Sequence, residues 1–186
     1  MLEKTFWIYY ILCFVKTVSY LYYVDLYKYL AMHITQNDER AQRIYGVMAI
    51  LCFFARFFSG KVFNKLGIRN SFILIYSLNV VQELLYIFLG QYYEWMFFAT
   101  FMFARTISSL NAYLNYAIPY AVYGTKKAIK ISCYFESFYV VVISLTVVLN
   151  WIFENRGNIL VLVCIFFTAE LICLLYCVFF LKNRKI

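Results

Sequence analysis

Eight ionisable side chains stand inside long apolar runs of this chain: Lys16, Asp25, Lys28, Arg56, Glu83, Arg105, Glu136 and Glu170. A charge at the centre of a membrane helix costs about 2.5–3.5 kcal/mol on insertion scales, so none is expected to face acyl chains. Such groups must snorkel, pair or line water. Lys28 and Arg56 lie near the ends of their runs, where a long side chain reaches the interface. Asp25 precedes Lys28 by three residues and can pair with it on one helix face. Lys16 lies nine residues before Asp25, about 2.5 helical turns, and so points to the opposite side of the same helix.

Arg105 is the most informative of the eight. It lies eleven residues past Glu94, roughly 16 Å along a helix and close to the midplane of a hydrocarbon core of about 30 Å. A guanidinium there stays protonated and needs a carboxylate or an aqueous cavity. Two readings stay open: a substrate or gating contact, or a structural ion pair. Glu170, eleven residues into the last run, is the best internal counter-charge, ahead of Glu136 and Glu83. Asp25, Arg105, Asn111, Glu136 and Glu170 form the candidate substrate-binding or gating set.

The elements that must position these groups follow from composition. Of 186 residues 65% are hydrophobic and 14% charged, which places the chain among membrane proteins. Six runs are long enough to span: 6–30, 44–59, 72–89, 95–123, 129–151 and 159–181. Lipid offers no partner to free backbone groups, and no run alternates like a barrel strand, so each is expected to be a helix. The sequence therefore predicts an all-α fold, one domain over 1–186 that forms a polytopic bundle of six transmembrane helices. Nothing at the start of the chain reads as a cleavable signal peptide, because the first apolar run continues to Leu30 without a small-residue cleavage site. Aromatics, 23% of the chain, are assigned to lipid-facing bulk and interfacial belts, with Tyr20, Tyr22, Tyr23, Tyr27 and Tyr29 gathered in one half of the first helix.

Charge placement sets an orientation. Ten Lys and Arg fall on one side: Lys4, Lys61, Lys65, Arg69, Lys126, Lys127, Lys130, Lys182, Arg184 and Lys185. The other side holds three, Arg40, Arg43 and Arg156. Both termini are expected in the cytoplasm, of the plasma membrane, with Trp7, Trp95 and Trp151 at headgroup level. The net charge of +8 is thus read as contact with the lipid bilayer rather than with nucleic acid.

Catalytic and metal chemistry lack their reagents. The six cysteines lie in or beside apolar runs without a C-x-x-C, and read as small buried hydrophobes. Cys173 and Cys177 share a helix face, but no second pair or His completes a zinc site. His33, the single histidine, sits at the outer end of the first helix, and no Ser/His or Asp/Asp pair falls at shared depth. No enzyme activity, cofactor or metal is expected.

Between the second and third runs, residues 59–71 read S-G-K-V-F-N-K-L-G-I-R-N-S and are expected to be a polar surface loop. Its pattern, Gly60-x-x-x-Asn64-Lys65-x-Gly67-x-Arg69, resembles the G-x-x-x-D-R-x-G-R-[RK] signature between helices 2 and 3 of the major facilitator superfamily, with Asn64 in place of the acid. Arg105-T-I-S-S-L-N-A is similar to the R-x-x-Q-G-x-G-A motif of helix 4 in the same superfamily. Within it, I-T-Q-N-D-E-R-A-Q-R-I-Y-G-V (34–47), Ala104-Arg105, Tyr113 and K-I-S-C-Y-F-E-S (130–137) resemble the reduced folate and thiamine carrier family, without its helix 1 R-P-x-E sequence.

The resemblance implies one half, a 3+3 repeat, of a twelve-helix carrier that moves a small organic solute by alternating access. It implies a folate- or thiamine-type vitamin as the solute, and a second copy or a second half as partner. The alternative is a non-transporting membrane scaffold derived from a truncated transporter.

Overall fold

The computed structural model describes residues 4–35, 38–90, 92–152 and 156–182. No strand occurs among them. Five α-helices follow one another: α1 (Lys4–Thr35), α2 (Asp38–Leu85), α3 (Glu94–Tyr123), α4 (Thr125–Ile152) and α5 (Arg156–Phe179), with a π turn at Tyr86–Gly90 closing α2.

Six separate runs were expected and five helices are found, because two of the runs share α2. The expected surface loop over 59–71 is helical except at Gly67, with φ 76° and ψ 170°. The reason is local. Ser59 and Phe63 are buried one turn apart on the inward face, and the Ser59 hydroxyl donates to the Arg56 carbonyl at 2.7 Å. A helix satisfies every backbone group here, where an open loop beside hydrocarbon would not. Only Gly67 leaves the pattern, in a backbone region that is almost closed to residues with a Cβ.

Contacts along α3 show that the chain reverses at Gly67. On the first limb of α2 (38–66), Arg40 meets Glu94 at 2.8 Å, Cys52 donates to the Arg105 carbonyl, and Asn64 accepts from Tyr113. This limb therefore runs parallel to α3. Returning to the Glu94 end, Tyr86 packs on Phe97 and Phe101. The second limb (68–85) is thus antiparallel to the first. A matching reversal joins α3 to α4 at Gly124, with φ 72° and ψ 167°. Successive limbs alternate in direction, and Lys4 and Phe179 lie at the Gly67 end.

Inside, rings of α1, α2 and α3 interlock. Tyr9 stacks on Phe72 at 6.3 Å, and Phe97 meets Phe101 at 4.6 Å. Such pairs contribute about 0.5–1.5 kcal/mol each beyond area burial. Many aromatics assigned to lipid from sequence are in fact core: Phe6, Tyr22, Tyr76 and Phe135 are buried. Outside, large apolar side chains are exposed on α2 (Phe53, Phe54, Phe57, Phe58), α4 (Val140, Val141, Val147) and α5 (Ile165, Ile172). An apolar exterior this continuous fits hydrocarbon, not water. Three stretches among the described residues are long and apolar enough to cross a membrane: Glu39–Gly90, Thr125–Val148 and Leu160–Phe179.

Candidate functional site

Two bonds set the register of the interior. The Tyr76 hydroxyl donates to the Leu12 carbonyl at 2.6 Å, one turn beyond the Tyr9–Phe72 stack on both helices. One further turn brings Lys16 on α1 level with Asn79 on α2. On the antiparallel side, the Tyr86–Phe101 contact puts Asn79 and Gln82 level with 105–108 of α3. A polar layer thus crosses the bundle at mid-height, built from Lys16, Thr17, Ser19, Asn79, Gln82, Ser108 and Glu170, all buried.

Lys16 and Glu170 meet across the α1–α5 seam, Nζ to Oε1 at 3.5 Å, with side chains 4% and 0% exposed. The counter-charge that sequence reasoning offered to Arg105 therefore belongs to Lys16. The 154 residues between the partners leave no local signal of that pairing. Within the layer and one turn from it at Asn111, several polar atoms have no hydrogen-bond partner among the described residues: both amide atoms of Asn79, Nε2 of Gln82, Oδ1 of Asn111 and Oε2 of Glu170. A buried polar group left so costs about 1–3 kcal/mol. Neither Asn79 nor Gln82 was anticipated. Their spacing from Tyr76, at helical intervals along an otherwise apolar run, was the available signal.

Arg105 lies on the other seam, between α3 and the first limb of α2. Its Cζ stands 4.4 Å over the Tyr45 ring, an arrangement that stabilises by about 0.5–2 kcal/mol. Nη1 is buried without an acceptor, and no carboxylate pairs with Arg105 among the described residues. Tyr27 donates to the Ala41 carbonyl at 3.0 Å and packs on Tyr45, Phe98 and Phe101. An aromatic cluster thus lies beside Arg105, whose Nη1 has no partner among the described residues. The side chains of Asp25 and Glu136 lie outside the described residues.

The signature residues all sit at the Gly67 end. Gly60 lets α3 approach: a Cβ there would meet the Tyr113 ring at 3.3 Å. The Tyr113 hydroxyl donates to Asn64 Oδ1 at 3.0 Å, so a neutral amide holds the place where the resembling family has an acid. Lys65 is exposed. Arg69 donates from Nε to the Cys177 carbonyl at 3.2 Å and from Nη2 to the Val178 carbonyl at 2.6 Å. These are end carbonyls of α5, which carry the negative pole of its dipole. Arg69 therefore latches the second limb of α2 to α5.

Among the described residues no group of three or more His, Cys, Asp or Glu is placed to hold a metal. Taken together, a buried guanidinium nitrogen and several buried amides lie inside a bundle with an apolar exterior. Compared with protein-family models, curated proteins and solved structures, the chain matches none.

Proposed function

We propose that this chain is a membrane carrier, or half of one, that moves a small organic solute by alternating access, built on the plan of a major facilitator half. The carrying observation is the mid-height layer of buried polar atoms without partners among the described residues. A bundle kept only as a scaffold gains nothing from such groups, whereas a solute path needs them. The six alternating limbs then each cross the bilayer, the long Glu39–Gly90 stretch twice. Both termini face the cytoplasm of the plasma membrane, on the side that holds most Lys and Arg.

Arg105 and Asn111 contact the solute in this reading. A guanidinium without a carboxylate partner among the described residues selects an anionic group, as bidentate donors match carboxylate and phosphate. Of the two vitamin types implied by the sequence resemblance, the anionic folate type fits and the cationic thiamine type does not. The exposed Phe53 and Phe54 of α2 meet a second copy or second half, against which the bundle rocks.

Uptake into proteoliposomes tests this with a panel of organic anions, folates among them, and thiamine. Saturable uptake of an anion, lost in Arg105→Ala, is the expected result. No uptake across the panel, with folded protein in the vesicles, would replace the carrier by the scaffold.

A further inference from the structure

The bundle carries a second charged feature, away from its interior. Among the described residues α2 and α4 both pack on α3 and make no contact with each other. A groove therefore runs between them, and α3 is its floor. At the Gly67 end that floor is polar at its rim, with Tyr116 54% and Tyr120 48% exposed. Lys61 and Lys65 stand exposed on the first limb of α2, and Lys126, Lys127 and Lys130 stand exposed on α4.

These lysines are placed against their own electrostatic interest. Lys61 and Lys65 are an i,i+4 pair, as are Lys126 and Lys130, and like charges at that spacing repel on a helix. Lys126 and Lys127 also occupy the first turn of α4, where the helix dipole is already positive. The described acidic side chains do not compensate: Glu39 and Glu94 lie at the far end, and Glu83 and Glu170 lie inside. Both lysine-bearing turns are fixed to the scaffold, one by the Tyr113–Asn64 bond and the other by the reversal at Gly124. Farther from the Gly67 end the walls turn apolar, with Phe57 and Phe58 on one side and Val140 on the other, all exposed.

We propose that this groove is a binding site for an anionic phospholipid, with the headgroup phosphate between the two lysine clusters and an acyl chain along the apolar walls. Charge complementarity selects the headgroup, and the change from basic rim to apolar wall selects a lipid over a free anion. The site stands apart from the carrier reading, since lipid retention needs no transport.

Native mass spectrometry of the protein extracted from phosphatidylcholine–phosphatidylglycerol vesicles is the test. The wild-type chain should retain phosphatidylglycerol over phosphatidylcholine, and retention should fall with salt. Each lysine near a headgroup is worth about fivefold, so Lys65→Gln with Lys126→Gln should lower retention about 25-fold. Arg40→Gln with Arg43→Gln, at the far end, should leave it unchanged. Equal retention of both lipids, an equal loss in the far-end variant, or displacement by inorganic phosphate at low concentration would overturn the proposal. Because all five lysines are exposed, the variants should fold, and a circular dichroism spectrum identical to wild type checks this.

Discussion

Lys16 and Arg105 are two cations at similar height on different seams of one bundle, and they are treated in opposite ways. On the α1–α5 seam Lys16 has Glu170 at 3.5 Å, and the pair is closed off from solvent. On the α2–α3 seam Arg105 has an aromatic ring beneath it and a buried nitrogen without an acceptor. A closed pair contributes little net stability but is costly to break, since removing one partner strands the other. A guanidinium on a ring costs little to remove and strands no carboxylate among the described residues. The first arrangement is what a structural pair needs, and the second is the one our proposed carrier reading uses for the solute.

The sharpest way to break this contrast is on the Lys16 seam. Lys16→Met should destabilise the protein by about 3–5 kcal/mol, because it leaves Glu170 charged and unpaired. Lys16→Met combined with Glu170→Leu should recover most of that loss. Unfolding by denaturing detergent in mixed micelles measures both, and a double variant no better than the single would show that the two residues do not act as a unit.

Next in size is the latch at the Gly67 end. Arg69→Gln gives up two charge-assisted bonds to the carbonyls of Cys177 and Val178, a loss of about 2–3 kcal/mol. The same unfolding assay reads it. Gly67→Ala should cost about 1–3 kcal/mol, since alanine resists φ 76° with ψ 170°. In the same helix Gly46→Ala should be neutral or stabilising by up to about 1 kcal/mol, because a Cβ there meets nothing within 4 Å. Equal effects at the two glycines would contradict the one-residue reversal.

Of the two cations, Arg105 is expected to show the smaller stability effect. Arg105→Leu should change stability by no more than about 1–2 kcal/mol, the scale of the cation–ring contact it removes, while abolishing solute uptake. A loss as large as that of Lys16→Met would move Arg105 from recognition to architecture.

How much of this was legible in the sequence varies with the range of the interaction. Helices were legible, because run length and the absence of free backbone partners in lipid dictate them. The height of Arg105 followed from counting along its run from Glu94. The form of 59–71 did not, because Lys61, Asn64, Lys65 and Arg69 read as a polar loop. Ser59 and Phe63, a turn apart and both inward, were the helical signal beneath that polarity. The partner of Glu170 was not legible at all, since it depends on how α1 packs against α5. The same holds for the core roles of Phe6, Tyr22 and Tyr76, which residue type alone assigns equally well to lipid.

The single-residue joint at Gly67 also bears on how such a chain is made. In the proposed topology, where each arm of α2 crosses the bilayer, the joint leaves no slack between them, so the two arms are expected to leave the translocation machinery together as a helical hairpin. In that same proposed topology the cations flanking the joint would hold its tip on the side of synthesis during that step. Lengthening the joint with a flexible insert would uncouple the arms, and glycosylation sites placed at its tip would then report molecules inserted the wrong way round.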